Sequence, residues 1–230
     1  MKSKHTYILL LITSMILCNR LSAENVKETY VKFMENLFLQ PKYALQYNAY
    51  LVTKEGVEKP VVEANSVVVR NDLSFYTNIS TSEYLLNTEG SIVVDNVLKK
   101  ITLNYKPYTQ EEKSILEKQT PQLISNGLVK AVNNCDSVLV SKINDYTIYT
   151  TFSANSAYTR AECWINTKGE IAEVRYYYKE SDFLYYRIKY NEIAVDNYIK
   201  MTDFSYFVQL NGDTYVPTAK YKDYEIIVGN

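Results

Sequence analysis

From residue 44 onward the sequence is a succession of short segments that alternate apolar and polar residues between tight turns, and this constrains the fold more than any other feature. The segments are 44–53, 60–70, 73–79, 82–87, 91–95 and 99–105, parted by turn residues such as Lys54-Glu55-Gly56, Asn71-Asp72, Glu89-Gly90 and Asp95-Asn96. Antiparallel neighbours can be joined by a few residues, whereas parallel strands need long crossovers. The pattern therefore predicts an antiparallel meander. It resumes after Asn134 as 137–142, 146–152, 160–166, 171–178 and 183–192, about eleven strands in all. A last hairpin through Asn211-Gly212 joins 204–210 to 214–217.

Helical spacing appears in two places. Apolar positions 26, 30, 33, 34, 37 and 38 recur at three- and four-residue steps until Pro41, predicting an amphipathic helix. In mid-chain, Thr109-Gln110-Glu111-Glu112 has the form of a capping box. Thr120-Pro121 reads as a second start, with threonine as cap and proline in the first turn, followed by Leu123, Ile124, Leu128, Val129 and Val132. Two short helices are expected there. Nothing in the chain resembles a linker, a charge block or an internal repeat, so a single domain with a C-terminal hairpin extension is expected over 24–230.

The first residues read as an export signal. Lys2 and Lys4 precede an apolar run, 7–17, broken only by Thr13 and Ser14, and Leu21-Ser22-Ala23 ends on a small residue. The run is roughly half of the about 20 residues a membrane-spanning helix needs. Cleavage near Ala23 and a location outside the cytoplasm are expected. A lipidated start at Cys18 is disfavoured because Leu17, before it, is not small. Cleavage would also remove Lys2, Lys4 and Arg20, lowering 25 basic residues to 22 against 26 acidic ones, with no basic stretch longer than a pair. Nucleic acid, which is bound through clustered Lys and Arg, is not an expected partner.

His5, the single histidine, would leave with the signal. Imidazole catalysis and histidine-ligated zinc are then excluded. The 6 glycines form no G-x-G-x-x-G or phosphate-loop motif. No catalytic residue, metal site or cofactor is predicted. Carboxylate pairs such as Glu111-Glu112 and Glu180 with Asp182 fit helix starts and loops. The 23 tyrosines against 7 phenylalanines stand out; those at 176–178, 185, 186 and 190 put rings on both faces of adjacent strands. They are either ordinary strand residues or the walls of an amphipathic pocket. Cys135 and Cys163 leave two alternatives: a disulfide closing a loop of about 28 residues, worth roughly 3 kcal/mol, or two separate buried thiols.

Several stretches share their wording with one family: 66–75 (Ser-Val-Val-Val-Arg-Asn-Asp-Leu-Ser-Phe), 84–96, 99–103, and 161–166 through Gly169 to Val174. Over nearly all of 24–197 the sequence resembles the periplasmic lipoprotein carrier LolA and its relatives. The resemblance implies an open, curved antiparallel half-barrel whose concave face is covered by an N-terminal helix and short mid-chain lid helices. It implies no enzymatic activity. The implied function is carriage of lipoprotein acyl chains or lipid in an apolar cavity, received from an inner-membrane transporter and passed to an outer-membrane receptor. Arg70 falls where the family has an arginine that latches the lid, which implies acceptors within 119–126. Asn71 stands where the family has proline.

Alternation then suggests a cavity lining: Val67, Val69, Leu85, Ile92, Val94, Ile101 and Leu103 on the strands, with Val138, Val140 and Ile148, facing Leu123, Leu128 and Val132 on the lid. The same residues could instead form a dry core. The expected protein is a monomeric periplasmic carrier of lipid or lipoprotein acyl chains. The alternatives are an envelope interaction module of the same fold, binding a protein or glycan through tyrosine faces or a sheet edge, and a membrane-anchored receptor of the LolB type.

Overall fold

The computed structural model describes residues 25–61 and 66–229. The export signal, with His5 and Cys18, lies outside the described residues. Helix α1 spans 25–38 and leads into the longest strand, β1 (Lys42–Thr53). There follow β2 (Glu58–Pro60), β3 (Ser66–Asn71), β4 (Ser74–Ile79), β5 (Ser82–Asn87), β6 (Gly90–Asp95) and β7 (Lys100–Tyr105). Helix α2 (Gln110–Asn133) separates these from β8 (Ser137–Ile143), β9 (Tyr146–Phe152), β10 (Tyr158–Ile165), β11 (Ile171–Tyr178) and β12 (Phe183–Glu192). The chain ends in 3-10 turns at Val195–Asn197, Ile199–Thr202 and Phe204–Tyr206, a hairpin of β13 (Val208–Asn211) and β14 (Thr214–Pro217), a turn at Ala219–Tyr221, and β15 (Glu225–Val228).

The main sheet has 13 strands in the order β15-β7-β6-β5-β4-β3-β1-β12-β11-β10-β9-β8, with β2 paired to β1. It is an open half-barrel made of two meanders. Strand β1 joins them, since it pairs antiparallel with β3 on one side and β12 on the other. The meander reading holds for β3 through β7 and for β8 through β12; the single strand expected over 60–70 is instead the separate β2 and β3, which both pair with β1, and the parallel pairing of β15 with β7 was not foreseen. The turns use the chemistry seen in the sequence. Asp72 takes a φ of 53° between β3 and β4. At Gly90, with φ 140°, a Cβ would collide with the Asn104 carbonyl oxygen, which only glycine avoids.

The two short helices expected in mid-chain are one. The capping box forms as predicted: the Thr109 hydroxyl accepts from the Glu112 N–H at 3.2 Å, and the Glu112 carboxylate accepts from the Thr109 N–H at 2.7 Å. The helix then runs through Pro121 for 24 residues. Proline forfeits one backbone bond and crowds the preceding turn, but its fixed φ is helical, so a start signal can equally sit inside a helix.

Each face of the sheet carries its own core. Cross-strand register lines up Ala44, Val69, Tyr76, Leu85, Ile92 and Leu103 in one row across β1 and β3–β7. The C-terminal segment covers this row with Phe204, Phe207, Val208 and Tyr221. On the other face and the other half of the sheet, Val138, Tyr149, Cys163 and Ile165 pack with Val132 of α2 and Val26, Tyr30 and Phe33 of α1. Tyr30 stacks on Tyr149 with ring centroids 4.8 Å apart.

Candidate functional site: an apolar groove beneath α2

Successive strand residues point to opposite faces, so the row next to the C-terminal core belongs to the helix side. That row is Tyr43, Arg70, Phe75 and Leu86, again in direct cross-strand register. Helix α2 stands over it without filling the space. Val132 is its only buried residue among those described. Between helix and sheet lies a groove of about 540 Å³ lined by Phe75, Leu73 and Leu86 of the sheet and Leu116, Leu123, Ile124 and Leu128 of the helix, together with Phe38 and Tyr108. Phe75 is 39%, Leu86 55% and Leu123 67% exposed. Apolar residues left facing one another across open space, in a chain that buries others of their kind fully, make this groove the candidate site.

The helix is tied at both ends and at one point between them. At the near end, Tyr108 and Lys106 donate backbone N–H groups to the carbonyls of Thr88 and Glu89, both at 2.8 Å. At the far end Val132 sits in the second core, and Lys27 of α1 donates to the Cys135 carbonyl at 2.8 Å. Between them the Ser125 hydroxyl donates to the Glu35 carboxylate of α1.

Arg70 stands at the rim of the groove, but its partners differ from those implied by the resemblance. Its Nη1 donates to the Phe38 carbonyl and its Nε to the Asp72 carbonyl at 3.1 Å. The acceptors are thus the last turn of α1 and the β3–β4 turn, not residues 119–126. A helix C-terminus offers carbonyls with no partner inside the helix and a partial negative charge, and α1 ends directly above β3.

The expected lining divides. Leu123 and Leu128 do line the groove. Val67, Val69, Leu85, Ile92, Val94, Ile101 and Leu103 instead lie in the core under the C-terminal segment, on the face away from α2. Alternation grouped them correctly on one side. The aromatic residues of 204–221 occupy that side, and the helices occupy the other. Val132 and Val138 belong to the second core, Ile148 is buried, and Val140 is exposed. Phe75 and Leu86 were missed, although large apolar residues in both phases of β4 and β5 were a readable sign that both faces are covered.

Cys135 and Cys163 are free thiols; Cys163 is buried and Cys135 only half-buried, so the alternative of two separate buried thiols is met in part. Burial pushes the Cys163 thiol up to about 12, while a hydrogen bond with Tyr30 opposes the rise. The tyrosines serve two faces. Tyr30, Tyr47, Tyr176, Tyr186 and Tyr190 gather on the helix side, and burial raises the phenols of Tyr30, Tyr176, Tyr186 and Tyr190. On the opposite face Arg160 lies 3.7 Å from the Tyr177 ring and Arg175 3.9 Å from the Trp164 ring. Glu173 there pairs with both Arg175 and Arg187.

No family model and no curated protein matches the chain. Solved structures do resemble it. An uncharacterized conserved protein from Thermus thermophilus superposes with a TM-score of 0.40 at 8% identity, covering 90% of this chain and 99% of that one. A DUF1329 family protein from Desulfovibrio piger gives 0.35 at 9% identity, covering 74% and 91%. A structure described as an outer membrane lipoprotein-sorting protein domain from Vibrio parahaemolyticus gives 0.33 at 10% identity, covering 73% and 92%. At these scores they assign neither family nor activity. Among the described residues no helix is long and apolar enough to cross a membrane, and no three metal-ligating side chains converge.

Proposed function

We propose that this protein is a non-catalytic carrier of the periplasm that takes an acyl chain into the groove beneath α2. The observation that carries the reading is the unfilled apolar space between a tethered helix and the row Phe75–Leu86. Each methylene moved from water into such a space is worth about 0.8 kcal/mol. A dozen of them supply on the order of 10 kcal/mol against the costs of association. Nothing beyond shape and apolar surface is needed, and the stretch of α2 between its first turn and Ser125, which bonds α1, can rise and fall over the ligand. In this reading Arg70 latches α1 over β3 in the empty state, and cargo is received from an inner-membrane transporter and delivered to an outer-membrane receptor.

The test is direct. Protein purified from an envelope fraction, extracted and examined by mass spectrometry, should release acyl lipid, and delipidated protein should take up a fluorescent fatty acid. Lipid-free protein that takes up no probe overturns the carrier. A second reading, an envelope interaction module, is favoured by β8, the last strand of the sheet, whose Leu139, Val140 and Ile143 are exposed. Such an edge accepts an added strand. A lysine at Val140 would abolish partner capture on that reading and leave lipid uptake intact on the first.

A further inference from the structure

We infer that the acyl ligand of the groove carries an anionic head, a carboxylate or a phosphate, and that Arg70 binds it. The inference rests on the carrier reading and narrows its ligand. The charged residues lining the groove are Arg70 and Asp72. Two of the three guanidinium nitrogens, Nε and Nη1, donate to neutral carbonyls. The third, Nη2, has no hydrogen bond among the described residues, and no carboxylate there lies within ion-pair distance of Arg70. The carbonyls fix the guanidinium in place, and its charge is uncompensated among the described residues. A partly buried cation without a counter-ion is costly, and an anion that supplies one is bound correspondingly well.

The surroundings sharpen the choice. Asp72 is exposed, so water screens its carboxylate. Phe75 is the direct cross-strand neighbour of Arg70, and Tyr43 is its neighbour on the other side. The apolar wall lowers the local dielectric beside the cation, which strengthens a charge-assisted bond. The phenol of Tyr43 offers a further donor. From Arg70 the row crosses β4 to Leu86 on β5 over about 10 Å at the usual strand spacing. A head at Arg70 therefore places its chain over Phe75 and Leu86 and beneath Leu123. Carboxylate and phosphate share this chemistry, and arginine binds both.

The test is competition for delipidated protein holding a neutral, environment-sensitive naphthylamine fluorophore. The competitors are palmitate, palmitoyl lysophosphatidic acid and methyl palmitate, which differ only in the head. At least one acid should displace the probe roughly tenfold better than the ester, a factor typical of a charge-assisted bond. The preference should shrink with added salt and fall to near unity in Arg70→Gln. The better acid identifies the head. Should Arg70→Gln fail to fold, the salt dependence of the acid-to-ester ratio in the natural protein decides. Equal displacement by acids and ester, or a preference that survives Arg70→Gln, overturns the inference while leaving the carrier reading standing. Failure of every competitor and of the probe to bind overturns the carrier reading itself.

Discussion

The hydroxyl of Tyr221 donates to Oε2 of Glu83 at 2.8 Å across 138 positions of sequence. Tyr76 donates to the same oxygen at 2.8 Å, and Asn96 reaches the other oxygen at 3.3 Å. The C-terminal segment is thereby pinned to β5 by a buried carboxylate with its bonds satisfied, as burial of such a group requires. Replacing Tyr221 by Phe keeps the ring that stacks on Phe207 and removes one donor. A loss of about 1–3 kcal/mol is expected, read as a lower urea midpoint with an unchanged slope. An unchanged midpoint would show the segment to be held by packing alone.

Alkaline pH should unfold the protein early. Burial raises the phenols of Tyr30, Tyr76, Tyr190 and Tyr221, with the Glu83 charge adding to the rise at Tyr76 and Tyr221, and burial puts the Cys163 thiol at about 12. Groups raised in the folded state leave stability intact below their unfolded values, about 8.5 for a thiol and 10 for a phenol, and withdraw it above them. Cys163 alone withdraws roughly 1.4 kcal/mol per pH unit between its unfolded and folded values. The melting temperature should fall steeply above about pH 9. Exposed tyrosines such as Tyr84 and Tyr105 ionise without unfolding, so the last part of the phenolate absorbance should appear only together with loss of ellipticity, and ionisation of every tyrosine in the folded protein would contradict the burial.

Leu123 is two-thirds exposed and lines the groove. Aspartate in its place should change stability by no more than about 0.5 kcal/mol. It should weaken acyl binding about tenfold or more through lost apolar contact. Thermal melts and probe displacement separate the two effects. A large loss of stability with unaltered binding would place Leu123 in a packing role.

Pro121 interrupts the backbone ladder of α2 one turn before Ser125, which bonds α1. Alanine there should stabilise the helix by up to about 3 kcal/mol. It should also slow exchange of bound probe by stiffening the span that moves. Hydrogen exchange over 110–133 reports the first effect and stopped-flow displacement the second. Faster probe exchange in a better protected helix would separate lid motion from helix bending.

The strands, most turns and the capping box at Thr109 were legible because each rests on chemistry between near neighbours. Asn71-Asp72 names its own turn, and Thr109 needs only Glu112. Which face of β3–β7 meets the helices was not legible. Alternation tells that Val69 and Leu85 share a side, but the choice of side depends on what arrives to cover it. The cover is 193–228, a stretch of 3-10 turns and four-residue strands of which only the Asn211-Gly212 hairpin is announced in the sequence. Its return to pair β15 with β7 is a long-range event that no local signal encodes. The position of Arg70 at a strand end was readable, whereas its acceptor on Phe38 follows from how α1 happens to dock. Thr120-Pro121 fits a helix start and a helix interior equally, and only the assembled span decided between them.

Val69 and Arg70 are chain neighbours committed to opposite sides of a wall one backbone thick. Insertion or loss of a single residue within β3 would send a guanidinium into the aromatic core and a valine to the rim of the groove. Changes of length in this strand can therefore survive only in steps of two, whereas the turns at either end are free to grow or shrink by one. Related sequences with the same wall should show that even-numbered rule in β3–β5 and no such rule between them.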